Sequence, residues 1–437
     1  MPLATLRVSC SRTLYHIRNP TNTFTSRMSS TMALDVVVQP LVDERDASQK
    51  RPSHHANNSR NKFVNPWPSF AAPTGSQLFK FMISSIFHAP KPPTDINALV
   101  NLRSPDWGRD FGSDEIKATW LGHACFLVEF PTPKGASRGP RILFDPVFSP
   151  KCSPISFLGP TRYTPTPCTL EEIPAIDAIC LSHNHYDHTD STTLKYLFKK
   201  YTPHVFAPLG NDGYLKSICI PDTHIHTSDW WDSSLMSLTI PSFNSPPTVN
   251  ESEGTSHSNP GVKTEIKITC TPSQHTSNRG LFDRWSTLWS SWVIESCSME
   301  HDGAMATSHK KVYFAGDTGY RKVHESDIGT EKEDKLPMCT AFKEIGERFG
   351  GFDLALIPIG AYMPRDTMSG VHAHPKDSVQ IFKDVKAKKG LGMHWGTWVL
   401  TLEPVMEPPQ LLKEECARAG IPEEDFDICG LGETRAF

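Results

Sequence analysis

The chain has 437 residues, with 44 lysines and arginines against 48 aspartates and glutamates. A net charge of −4, with no basic stripe of the kind that grips a phosphate backbone, argues against a nucleic-acid partner. No apolar run approaches the roughly 18–20 residues that a membrane-spanning helix needs. The eleven cysteines are scattered without a CxxC pair, which fits reduced thiols in an intracellular compartment better than a disulfide scaffold.

Residues 1–34 contain Arg7, Arg12, Arg18 and Arg27, many serines and threonines, and no acidic residue before Asp35. Mitochondrial presequences and unfolded polar leaders share that composition. Residues 44–62 are rich in Asn, Ser and Arg and read as linker. Residues 1–62 are therefore expected to be a disordered leader, and the folded domain to span residues 63–437. In SQLFKFMISSIFHA (76–89), Phe79, Met82, Ile83, Ile86 and Phe87 recur at spacings of three and four, which predicts an amphipathic helix packed on the domain or resting on a lipid surface.

From residue 116 the pattern turns to short β-rich runs. Strands are expected in 116–130, 141–148, 177–182, 204–210, 265–275, 291–296, 311–319, 353–360 and 391–397. Helices are expected over 193–201, 377–389 and 408–420. Polar insertions interrupt the domain near 245–263 and 298–310. Strands in two groups with helices between them suggest an α/β fold, a four-layer αββα sandwich.

The strand DAICLS is followed by HNHYDH, so His183, His185, Asp187 and His188 crowd the end of a buried strand. Imidazole nitrogens and carboxylate oxygens are zinc ligands, and two metals a few ångströms apart can share an attacking hydroxide. Such a pair needs ligands from elsewhere. His275, Asp317 and His394 each end another predicted strand. Two further HxH pairs, His224/His226 and His372/His374, lack that setting. Asp145 and His123 are candidates to orient the ligands, or to cap turns. Leu281, Phe282, Trp285, Leu288, Trp289 and Trp292 make an aromatic stretch next to His275, readable as a lipid-facing lip or as core.

These motifs resemble the metallo-β-lactamase fold superfamily. NPWP (65–68), GHACFLVE (122–129), DPVFS (145–149), GPTRYTPTPCT (159–169), DWW (229–231), TPSQH (271–275), FAGDTGY (314–320) and HWGT (394–397) resemble the N-acylphosphatidylethanolamine-hydrolysing phospholipase D family within it. The likeness runs from Phe63 to about Gly420. It implies a phosphodiesterase with two zinc ions per chain, releasing N-acylethanolamine and phosphatidic acid. By motif position His183, His185 and His275 would hold one zinc, Asp187, His188 and His394 the other, and Asp317 would bridge. Asp187 and His372 would act in catalysis, and Leu281, Phe282, Trp285 and Trp289 would meet the substrate. His374 stands where the animal enzymes carry an acidic residue, and Thr276 where the family has tryptophan. A phospholipid substrate, a peripheral place on an intracellular membrane and a homodimer are the partners and setting that follow, the membrane being mitochondrial if residues 1–34 act as a presequence. The competing readings are a lactonase acting on a soluble sugar phosphate and a non-catalytic lipid-binding module.

Overall fold

A computed structural model of the chain describes residues 32–41, 53–155, 157–243, 261–280, 282–297 and 310–437. Its strands are β1 (Asp35–Leu41), β2 (Lys117–Gly122), β3 (Cys125–Glu129), β4 (Arg141–Phe144), β5 (Ala178–Cys180), β6 (His204–Pro208), β7 (Ile225–Ser228) and β8 (Ser233–Pro241). They continue with β9 (Gly261–Thr271), β10 (Ser291–Cys297), β11 (Lys310–Phe314), β12 (Phe352–Pro358), β13 (Ala387–Met393), β14 (Phe426–Asp427) and β15 (Thr434–Ala436). The helices are α1 (Gly75–His88), α2 (Ile96–Leu99), α3 (Ser191–Tyr201), α4 (Asp212–Ser217), α5 (Ala341–Phe349), α6 (Arg365–Met368), α7 (Pro375–Asp384) and α8 (Glu407–Ala419).

Two sheets result, ordered β15-β2-β3-β4-β5-β6-β7 and β1-β8-β9-β10-β11-β12-β13-β14. Alternation along the first sheet builds two cores, because successive side chains point to opposite faces. Trp120, Phe126, Phe144 and Phe206 enter the core shared with the second sheet, where Phe144 stacks on Phe314 with ring centroids 4.5 Å apart. Leu121, Leu127, Leu143 and Val205 face Leu194, Leu197 and Leu215 of α3 and α4. Phe342 of α5, Val379 of α7 and Leu412 of α8 close the far side of the second sheet. The order of layers is the expected αββα sandwich. In β4 to β7 and in β11 to β14 the strands pair in parallel, so the loops leaving β5, β11 and β13 all start from carboxyl ends.

Three expectations need correction. First, the fold starts before Phe63: β1 pairs antiparallel with β8 from Asp35↔Thr239 to Leu41↔Ser233, and His54 and His55 are buried against Asp229. The β-branched run Val36–Val38 finds an open sheet edge, a long-range partner that local polarity does not reveal. Second, the helix expected to reach Lys389 stops at Asp384. Lys386 turns left-handed (φ 57°), and Ala387-Lys388-Lys389, good helix formers, are drawn into parallel pairing with β12. Third, α1 forms with a capping box between Thr74 and Gln77, but none of its residues is buried, so it does not pack its apolar face on the domain. The two insertions fall largely outside the described residues, and their ends, Gly261–Lys263 and Lys310, are already strand. Residues 1–31 of the leader, and Leu281, also lie outside them.

Candidate metal centre

After β5 the chain turns sharply, with His188 and Thr189 N–H both donating to the carbonyl of His185. That turn folds HNHYDH back on itself and brings its four ligand-type side chains to one side. Asp145, at the end of β4, fixes the arrangement from behind. Its Oδ1 accepts Ser182 N–H at 2.7 Å, and its Oδ2 accepts Ser182 Oγ at 2.5 Å and lies 2.7 Å from His188 Nδ1. His188 is thereby left with Nε2 facing the centre. His183 Nδ1 meets Ser182 Oγ at 2.8 Å and so also presents Nε2.

The second sheet brings the rest. His275 leaves β9 with Nδ1 against the Val371 carbonyl at 2.8 Å. Asp317 follows β11 and His394 follows β13. Two trios converge. His185 Nδ1 lies 2.9 Å from His183 Nε2 and 3.3 Å from His275 Nε2. Asp187 Oδ2 lies 3.5 Å from His188 Nε2 and 3.6 Å from His394 Nε2. Asp317 sits between the trios, its Oδ2 3.8 Å from His183, 3.7 Å from His275 and 3.2 Å from His188, its Oδ1 3.0 Å from His394.

The residues present fit a divalent metal. His188 Nε2, His394 Nε2 and Asp317 Oδ1 are buried without any hydrogen-bond partner, a costly arrangement for polar atoms unless an ion takes their lone pairs. The donor set is nitrogen and carboxylate oxygen, as zinc-type ions prefer. Burial lowers the pKa of His183 and His275, keeping these rings neutral and able to coordinate. Burial opposes charge on Asp187 and Asp317 too, but His188 and its neighbours outweigh it and hold both carboxyls well below their ordinary range.

Both orienting candidates from the sequence lie at the centre, Asp145 as above and His123 with Nε2 3.0 Å from Asp187 Oδ2. His123 (φ 53°), Asp145 (φ 38°) and His394 (φ 63°) all adopt left-handed backbone. Three non-glycine residues in that region around one cluster mark backbone strain concentrated at a site.

His372 reaches the same place. Its Nδ1 is 3.8 Å from Asp317 Oδ2, burial lowers its pKa to about 4, and its side chain remains 12% exposed at the mouth. His374 turns away. Its Nδ1 accepts the Lys376 N–H at 3.1 Å and caps α7. His224 and His226 join His204 instead, outside the two trios, with His204 Nδ1 2.8 Å from His226 Nε2.

The aromatic stretch divides. Phe282 is 94% exposed. Trp285 is half-buried, packed edge-on to Phe70 and Trp289. Trp289 is a correction to the substrate set: it is fully buried, and its indole N–H donates to the Ser273 carbonyl at 2.9 Å, so it serves the core. Leu288 and Trp292 are core as well. A narrow crevice lined by Pro90, Tyr163, Trp398 and Leu400 reaches His123 and His394, so the segment just after α1 borders the centre.

Two side chains missed in the sequence shape this site. Asn65 Nδ2 donates to the carbonyl of His275 at 2.8 Å. Arg279 lies between the rings of Tyr186 and Tyr214 and donates to the carbonyls of Asn184 and Thr189. NPWP marked the first as part of a motif; nothing local marked the second.

The Beta-lactamase superfamily domain profile matches residues 140–395. N-acyl-phosphatidylethanolamine-hydrolyzing phospholipase D 1 of Caenorhabditis elegans is 31% identical over 412 residues, 92% of this chain and 98% of that protein. The Saccharomyces cerevisiae protein named N-acyl-phosphatidylethanolamine-hydrolyzing phospholipase D, mitochondrial, is 29% identical over 86% of this chain and 75% of its own length. Among solved structures, an isothiocyanate hydrolase from Delia radicum gut bacteria aligns over 74% of this chain and 99% of its own, at 19% identity and a TM-score of 0.47. The chain is thus a metal-dependent hydrolase of the beta-lactamase superfamily and belongs to its N-acyl-phosphatidylethanolamine-hydrolyzing phospholipase D family.

Proposed function

We propose that this protein is a di-zinc phosphodiesterase of the phospholipase D type, which hydrolyses N-acylphosphatidylethanolamine to N-acylethanolamine and phosphatidic acid. The observation that carries the reading is the pair of ligand trios with Asp317 between them. One zinc belongs with His183, His185 and His275, the other with Asp187, His188 and His394. Bound zinc supplies positive charge against the anionic phosphodiester and acidifies the attacking water.

The chain's own groups do the rest. Asp187, held by His123, orients the attacking water and accepts its proton. Asp145 and Ser182 keep the imidazoles of His188 and His183 in the orientation that faces the substrate. His372, at the mouth, gives a hydrogen bond to the ethanolamide oxygen, which takes a proton from water as its bond to phosphorus breaks, and Phe282 and Trp285 border the acyl chains. α1 rests its apolar face on the membrane surface and delivers lipid toward the crevice at Pro90. Phe79 and Phe87 of α1 are 62% and 73% exposed, a disposition that suits an interfacial helix. No described helix is long and apolar enough to cross a membrane. The composition of residues 1–34 and the mitochondrial designation of the yeast relative support a mitochondrial membrane.

The test is incubation of the zinc-loaded protein with N-acylphosphatidylethanolamine and with ordinary phosphatidylethanolamine, products being identified by mass. Release of N-acylethanolamine with phosphatidic acid is expected. Release of a free fatty acid, or turnover of a soluble sugar-phosphate lactone with no action on lipid, would overturn the reading.

A further inference from the structure

A second group of metal-capable side chains meets where the segment before Phe63 crosses the end of β7, apart from the centre described above. His54 Nε2 lies 2.6 Å from Asp229 Oδ1, and His55 Nε2 lies 2.7 Å from Asp229 Oδ2. All three residues are buried. The two rings thus aim at one carboxylate, one at each oxygen, and the ligand atoms fall within 4.8 Å of one another.

The two contacts differ in kind. His54 makes a hydrogen bond to Asp229, and Trp230 N–H donates to the same oxygen at 2.9 Å. His55 Nε2 is buried and has no hydrogen-bond partner, despite the oxygen 2.7 Å away. At that separation only misalignment prevents a bond. A buried imidazole nitrogen without a hydrogen bond keeps a lone pair that a cation can take. Both rings are also locked by packing, His54 stacked on Trp230 at 4.1 Å and His55 edge-on to Phe63 at 5.3 Å, the preorganisation a metal site needs. Beside them opens a cavity of about 400 Å³ that reaches His54 and Asp229 and is bordered by Asp232, Trp67 and Arg60. It has room for water.

We propose that His54, His55 and Asp229 form an additional metal site, which takes one divalent transition-metal ion of the zinc type and completes its shell with water from the adjoining cavity. The ion staples the N-terminal segment to the sheet. That segment continues to Asn65, which holds the carbonyl of His275, and to Ser69, whose Oγ bonds Gln274 Oε1 at 2.5 Å. The staple is therefore a positioning device for the loop that carries His275.

The test counts metal and uses no substrate. The full chain is stripped with a chelator, reloaded with Co²⁺, and its bound metal measured by mass spectrometry and visible absorption. The wild type is expected to hold one equivalent more than His55→Gln or Asp229→Asn. A chain carrying His183→Asn, His275→Asn and His394→Asn is expected to keep one equivalent, which adding His55→Gln then removes. Equal metal content in wild type and His55→Gln, or no Co²⁺ retained by the triple variant, overturns the proposal. Because a buried cluster variant can unfold, hydrogen exchange of residues 53–64 is also followed in the triple variant, with His54, His55 and Asp229 intact. Protection on adding Co²⁺ is expected, and unchanged exchange overturns the site.

Discussion

Asp145 shows how one side chain decides what another presents. It occupies Ser182 and the Nδ1 side of His188, so only Nε2 of that ring is available to an ion. Asparagine tolerates left-handed backbone as aspartate does, so Asp145→Asn removes the charge without adding strain at φ 38°. The substitution is expected to weaken metal affinity by about 10–100-fold, read by competition with a chromophoric chelator; unaltered affinity would contradict the role. Asp187→Asn is expected to cost at least about 10²-fold in hydrolysis, the usual worth of a positioned proton acceptor. Circular dichroism and solubility should remain those of the wild type, and near-normal turnover would remove Asp187 from the mechanism. At this scale the ligands were legible because HNHYDH is contiguous and because His275, Asp317 and His394 each end an apolar strand. Asn65 was not recognisable as a partner of His275 because they are 210 positions apart. Arg279 bonds carbonyls 90 and 95 positions away, and backbone carbonyls leave no mark in a sequence.

Among the elements, α1 carries the sharpest prediction. Phe79→Glu with Phe87→Glu is expected to abolish co-sedimentation with phospholipid vesicles while leaving hydrolysis of a detergent-dispersed substrate within about twofold, since surface changes away from a site are usually mild. Equal vesicle binding in variant and wild type would show that lipid is met elsewhere. A second prediction concerns β6 and β7. Burial, and the adjacent imidazoles, lower His204 and His226 to about 4. The unfolded chain, with ordinary histidine values near 6.5, therefore takes up protons first as pH falls. The stability these two rings confer is complete above pH 6.5 and drains between 6.5 and about 4. A His204→Gln/His226→Gln variant is expected to lose less stability than the wild type across that window in chemical denaturation; parallel curves would count against the assignment. Strand and helix periods were readable in α3 and in most of β9, but β8 and α5, nine residues each, were not picked out. β1 was not, because its seven residues follow a polar leader and acquire meaning only beside β8. α7 was read too long because Lys386–Lys389 suit a helix and only parallel pairing with β12 makes three of them strand.

For the molecule as a whole, the ligand set is shared between layers. His183, His185, Asp187 and His188 follow β5 of one sheet, while His275, Asp317 and His394 follow β9, β11 and β13 of the other. An ion held by both should stabilise the sandwich by mass action. At a free metal concentration of 100 times the dissociation constant the gain is about 2.7 kcal/mol. Chelation is therefore expected to lower the unfolding midpoint, and readdition of Zn²⁺ to restore it; a midpoint indifferent to metal would mean the ligands do not share an ion. The division between sheets also follows the chain. Every ligand in the first group precedes Phe243, and every ligand in the second follows Gly261. Two polypeptides divided between those points would each carry an incomplete share of the two trios, and neither alone would show the cobalt spectrum of that centre. Only their reassociation would restore the spectrum, so the metal would report, in a test tube, whether two halves of a protein have found each other.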